Sequence, residues 1–170
     1  MIGSRRTGAN PEEVTRIKAL SERLEELGIE LPAPAAAVAA YVPALLDGDR
    51  VWTSGQLPFD HGQLRVKGAV GATVTIEEAY QEARQAALNA VAAAAARVGG
   101  VDRLAGVIKV VGFVQCGPDF HDQPRVINGA SELLEQLFGE AGRHARSAVG
   151  AVALPLDAPV EVEVIFRVHP

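Results

Sequence analysis

Apolar positions along this chain recur at two periods, and the switches between them mark its elements. Val14, Ile17, Leu20, Leu24 and Leu27 are three or four residues apart, which predicts a helix over residues 11–27. Asn10 can cap it, Pro11 suits its first turn, Glu13 stands where a capping box places a carboxylate, and Gly28 stops it. The stripe predicts docking on the outside of the domain, with Val14, Ile17, Leu20 and Leu24 inward. The run "LPAPAAAVAA" (residues 31–40) reads as an extended connector. In "YVPALLDGDRVWTSGQLP", two apolar runs flank Asp47-Gly48-Asp49, a hairpin signal, and a short strand is expected at Leu64–Val66.

Helical spacing returns at Thr75, which with Glu78 forms a second capping box. The face of that helix is Ile76, Ala79, Tyr80, Ala83, Ala87, Ala90, Val91 and Ala94, and Gly99-Gly100 ends it. So many alanines imply a close approach of helix to sheet. "GVIKVVGFVQC" is rich in β-branched residues and predicts a strand of roughly eight residues. Pro124 opens a third helix carrying Val126, Ile127, Ala130, Leu133, Leu134 and Leu137, stopped by Gly139. Two strands close the chain, one beginning near Arg146 and one reading "VEVEVIF".

The order α, β-β-β, α, β, α, β, β predicts an α+β fold: one mixed sheet with two long helices on one face. The strands hold more apolar positions than a solvent-facing sheet needs, so the other face is expected to be covered by oligomerisation. Residues 1–40 form the N-terminal helix and connector, and residues 41–170 the domain.

Composition narrows the function classes. The chain has 170 residues, is 48% hydrophobic and carries a net charge of −5, so it can fill a core but shows no basic stripe for nucleic acid. Cys116 is its single cysteine, which excludes an intrachain disulfide and fits a reducing cytoplasm. The four histidines have no metal-ligand spacing, and neither a phosphate-binding loop nor a nucleophile elbow is present. The N-terminus lacks the apolar run of a signal peptide, and polar residues interrupt the alanine-rich helix, so no membrane span is expected.

Three features could carry chemistry. Arg146 opens a strand; it could be an exposed arginine at a strand junction or a planar fork for a carboxylate. Glu161 and Glu163 are two apart, so they share one strand face while Val160, Val162 and Val164 share the other. They could be a solvated face, or a carboxylate able to orient or deprotonate a water. Ser54-Gly55 in "WTSGQLP" could be an ordinary strand end or a close-approach site for an oxyanion or carboxylate.

In order along the chain, "TSGQLP", "INGASELLEQLFG" and "ARSAVGAVALPLDAPVEVEVIF" resemble the Rid (YjgF-type) family of reactive-intermediate deaminases, from about Tyr41 to Val168. The resemblance implies a chorismate-mutase-like fold, a homotrimer with clefts between subunits, and hydrolysis of a 2-imino or 2-enamino acid to a 2-oxo acid and ammonia. It implies no metal or organic cofactor, a small imino or enamino acid as partner, and neither nucleic acid nor membrane. By the same resemblance Arg146 grips the substrate carboxylate and Glu161 orients the water, with Tyr41, Ser54, Gly55, Asn128 and Ala148 binding substrate. Ala148 stands where many of these deaminases carry a cysteine. Ala39-Ala40 replace a glycine-proline pair, and the helix over residues 11–27 is additional. These departures imply a divergent subgroup. Competing functions are a binding protein holding a small carboxylate without turnover, and an RNA-directed role such as an endoribonuclease or translation inhibitor. Keeping both Arg146 and Glu161 favours the enzyme over the binder, and the acidic balance disfavours RNA.

Overall fold

A computed structural model describes residues 18–34 and 40–170. The predicted helix start, Asn10 to Ile17, and residues 35–39 of the connector lie outside the described residues. Helix α1 spans Leu20–Glu26. Leu20 and Leu24 are buried, whereas Leu27, on the predicted stripe, is exposed because it is the C-cap, where the chain turns away through Gly28 at φ +62°. The backbone N–H and hydroxyl of Ser21 both donate to the Asp102 carboxylate at 2.8 Å, and Arg23 Nε donates to the Gln136 carbonyl at 2.8 Å. The short helix is thus tied to the outside of the domain at its first turn and its middle.

Strands β1 (Ala44–Asp47) and β2 (Arg50–Thr53) form the hairpin, with Gly48 left-handed at φ +59° in its two-residue turn. Next comes a separate two-stranded ribbon, β3 (Phe59–Asp60) and β4 (Gln63–Leu64). The strand expected at Leu64–Val66 therefore ends one residue in. Arg65 leaves the ribbon and reaches Asp60 at 3.2 Å and the buried Glu82 at 3.3 Å. Asn89 Nδ2 holds the same ribbon through the carbonyls of Leu57 and Phe59, at 2.9 and 3.0 Å.

Helix α2 (Ile76–Val98) starts with the predicted capping box: Glu78 N–H donates to Thr75 Oγ1, and Thr75 N–H to Glu78 Oε2. It ends at Gly99, left-handed at φ +85°. Strand β5 (Leu104–Gln115) is twelve residues, longer than predicted, because irregularities near Gly106 and Ile108 let pairing continue back to Leu104. Helix α3 (Gln123–Phe138) and strands β6 (Ala145–Ala151) and β7 (Val160–Val168) complete the domain.

The main sheet runs β1-β2-β7-β5-β6; β5 and β6 are parallel and the other neighbours antiparallel. Tyr80 Oη donates to Glu132 at 2.6 Å and Arg84 to Gln136 at 3.1 Å, so α2 and α3 lie parallel, with their N-termini at one end. Gly129 permits this contact, because a Cβ there would fall 2.0 Å from the Tyr80 carbonyl oxygen. The helices cover one sheet face, burying Val160, Val162, Val164 and Phe166 to 1% exposure or less. Each such side chain contributes about 1.5–3 kcal/mol. Among the described residues nothing covers the opposite face, which displays Leu45, Trp52 and Val149, each at least 44% exposed. Among the described residues no helix is long and apolar enough to cross a membrane.

Candidate functional site

The register sorts the candidate residues onto two sides of the sheet. Arg146 pairs with Val110, which pairs with the buried Val164, so Arg146 faces the helices. Glu161 alternates with Val160 and Val162 and lies opposite Phe113, on the uncovered face. Strand β5 also separates β6 from β7. Within one chain Arg146 and Glu161 do not share a cleft: their side chains point to opposite faces of the sheet. The chain carries two candidate half-sites.

The first half-site is built around Arg146. Its Nη1 donates to Asn128 Oδ1 at 2.8 Å and to Ser131 Oγ at 3.1 Å, and its Nη2 approaches the Pro124 carbonyl at 3.4 Å. Proline at the start of α3 and the helix face shared by residues four and three apart bring Pro124, Asn128 and Ser131 over the edge strand β6. Ser131 Oγ lies 3.0 Å from His144 Nε2, and His144 Nδ1 lies 2.6 Å from the Gly142 carbonyl. Ala148, half-buried, is next on the same strand face and pairs with Gly112. Ser131 and His144 escaped the sequence reading. Their signal was the spacing: Ser131 is three residues after Asn128 on a helix, and His144 is two before Arg146 in extended chain.

The second half-site is built around Glu161. Trp52 pairs with Ile165, whereas Gln56 pairs with Val162, so the β2 side holds one extra residue between these pairs. Ser54-Gly55 is therefore a bulge, a device that re-aims a strand beside a site. Gly55 leaves room for the carboxylate in this position: a Cβ would fall 1.7 Å from Glu161 Oε1. The Ser54 hydroxyl does not face Glu161; it donates to the Val42 carbonyl at 2.7 Å and so pins the segment after Tyr41. Tyr41 is half exposed. Glu161 has no hydrogen bond or ion pair among the described residues. Burial raises its pKa above the ordinary carboxylate value, and the nearby Glu163 charge raises it further. An acid held this way is a better proton acceptor once ionised.

A shallow cavity of about 240 Å³ opens between the N-terminal ends of α2 and α3, lined by Ile76, Glu77, Tyr80, Gln81, Arg125 and Asn128. Of the predicted site residues it includes only Asn128, so it is not the junction of the two half-sites. Among the described residues no group of three or more His, Cys, Asp or Glu could hold a metal ion.

Sequence comparison matches residues 21–167 to the family described as "YjgF/chorismate_mutase-like, putative endoribonuclease". The chain belongs to the YjgF family. Protein TCP17 of Trypanosoma cruzi is 40% identical over 151 residues, covering 88% of this chain and 94% of that protein. The crystal structure of Atu1372 from Agrobacterium tumefaciens, described as of unknown function, is 41% identical, covers 88% of this chain and 92% of that one, and superposes with a TM-score of 0.81. RidA from an Antarctic Psychrobacter is 31% identical over 80% of this chain and 94% of that one, with a TM-score of 0.55. Within the YjgF family the chain thus lies closer in shape to Atu1372 than to this RidA, in keeping with a divergent subgroup.

Proposed function

We propose that this YjgF-family protein is a hydrolytic deaminase of 2-imino and 2-enamino acids. It works as a homotrimer in which Arg146 of one copy and Glu161 of a neighbouring copy line a shared cleft. The observation that carries this reading is the split itself: a furnished arginine and a bare carboxylate lie on opposite faces of one sheet. Two such groups act on one small molecule only if a second copy brings its half-site to the first. The uncovered sheet face with Leu45, Trp52 and Val149 supports the same assembly.

The chemistry needs little more. Arg146 fixes the substrate carboxylate, and the protonated imine carbon is already electrophilic. Glu161 takes a proton as water adds to that carbon, giving a carbinolamine. Proton transfer to its nitrogen expels ammonia and leaves the 2-oxo acid. Asn128 holds the arginine, Gly55 makes room for the carboxylate, Tyr41 and Ser54 shape the rim, and Ala148 offers backbone N–H in place of a thiol. No metal or organic cofactor enters this scheme. The free Cys116 suits a cytoplasmic setting. The net charge of −5 speaks against the RNA-directed role named in the family's description.

Two measurements test the proposal. Sedimentation at micromolar concentration is expected to give a trimer; a monomer would remove the shared cleft. Ammonia release from freshly generated 2-aminoacrylate is expected to be accelerated. No release from any small imino acid would leave a carboxylate-binding protein in its place.

A further inference from the structure

The hydrogen-bond directions around Arg146 are fixed by chemistry. The Gly142 carbonyl can only accept, so His144 Nδ1 carries the proton of that 2.6 Å contact. In the neutral ring Nε2 is then an acceptor, and its 3.0 Å neighbour, the Ser131 hydroxyl, must donate to it. With its proton committed to His144, Ser131 Oγ presents a lone pair to Arg146 Nη1 at 3.1 Å. Asn128 Oδ1 takes the other Nη1 proton at 2.8 Å. Both Nη1 protons are thereby used.

What remains is one edge of the guanidinium. Nη2 makes a single long contact, 3.4 Å to the Pro124 carbonyl, and Nε has no acceptor among the described residues. The Nε–H and the adjacent Nη2–H point the same way and form the side-on fork that matches two carboxylate oxygens. The end-on fork, which needs a free Nη1–H, is closed.

We propose that Ser131 and His144 are positioning residues that lock the Arg146 guanidinium so that only its Nε–Nη2 edge receives a carboxylate. The relay runs from the Gly142 carbonyl through His144 and Ser131 to Nη1. It fixes the plane of the fork before substrate arrives, so it acts on capture of the carboxylate more than on the addition of water. This rests on the assignment of Arg146 as the carboxylate site.

The test uses the intact protein, with pyruvate as the carboxylate probe in calorimetric titration. Steady-state rates are measured on imino acids generated in place by an amino acid oxidase. Arg146→Lys is the reference variant. Ser131→Ala, a good helix former at a half-buried position, and His144→Leu are each expected to weaken pyruvate about tenfold, the scale of one hydrogen bond to a charged group. Most of their loss in kcat/KM should fall in KM, and Ser131→Thr, which keeps the hydroxyl, should restore affinity. If Arg146→Lys leaves pyruvate binding unchanged, the carboxylate assignment itself fails. If Arg146→Lys weakens binding but Ser131→Ala and His144→Leu do not, the site stands and the positioning role is overturned. The role is also overturned if Ser131→Thr is as weak as Ser131→Ala, or if the loss falls in kcat. Thermal melts of each variant accompany the titrations. Should Ser131→Ala or His144→Leu melt early, the comparison of Ser131→Thr with wild type and Arg146→Lys decides: wild-type affinity supports the role, and loss of affinity overturns it.

Discussion

The arginine half-site and the glutamate half-site are opposites in construction. Arg146 is held by two side chains of α3 and approached by a main-chain carbonyl, and one of those side chains is itself oriented by a histidine. Among the described residues Glu161 has no hydrogen-bond partner: its carboxylate fills the space left by Gly55, and the charge of Glu163 repels it. Under the proposed function, the difference follows from what each group would do. A clamp for a fixed charge gains from being rigid before the ligand comes. A proton acceptor gains from being under-solvated and poorly bonded, because every hydrogen bond to its ionised form would lower its basicity.

The comparison breaks first at Glu161. Glu161→Gln keeps the shape and removes the base, so turnover should fall roughly 10²–10⁴-fold while pyruvate still binds; a wild-type rate would make Glu161 a bystander. The same variant has a stability signature. A carboxyl whose pKa is raised on folding costs stability once ionised, so wild-type stability is lost as pH rises through that raised value. Thermal melts across the acid range should show a smaller loss for Glu161→Gln.

Gly55→Ala sharpens the geometric side. Its Cβ meets the flexible end of Glu161, which can swing away, so the fold and pyruvate binding should survive while the rate falls by up to about 10²-fold, the cost of misplacing a reacting group by an ångström. Loss of pyruvate binding instead would show that the half-sites are not separable. Arg146→Lys keeps the charge and loses the fork, and pyruvate capture measured by titration should weaken by about 1.5–3 kcal/mol. The smallest effect belongs to Glu163→Gln. Removing this charge lowers the Glu161 pKa, and the base works only when ionised. The acid limb of the kcat–pH profile should therefore move to lower pH, with the plateau rate little changed. An unmoved limb would assign the titration to another group.

The parts of this molecule that depend on near neighbours were legible in its sequence. Thr75 and Glu78 announce the start of α2, Gly99 its end, and the Val/Glu alternation of β7 predicts which side chains are buried. Arg146, Glu161 and Gly55 stood out as candidates from residue type and strand position, but their roles, and Asn128 altogether, came through a family resemblance, and the structure groups the four as two pairs. The parts that depend on strand order were not legible. Nothing local says that β5 enters between β6 and β7, so nothing local says that Arg146 and Glu161 part company across the sheet. The bulge at Ser54-Gly55 appears only when the register of β2 is counted against β7. The Ser131–His144 contact joins a helix face to an extended segment, and neither residue type is unusual where it stands.

Strand order also has a consequence for biosynthesis. β7 is made after every other strand of the sheet, yet it is the central strand, bonded to β2 on one side and β5 on the other, with Phe166 fully enclosed. Until Val160–Val168 leaves the ribosome, the hairpin and the β5–β6 pair are two fragments, each with an open edge where β7 belongs. The hairpin edge must be kept from pairing with other molecules while α2, β5, α3 and β6 are made, and the β5 edge while α3 and β6 are made; a chain truncated before Val160 would have both edges bare.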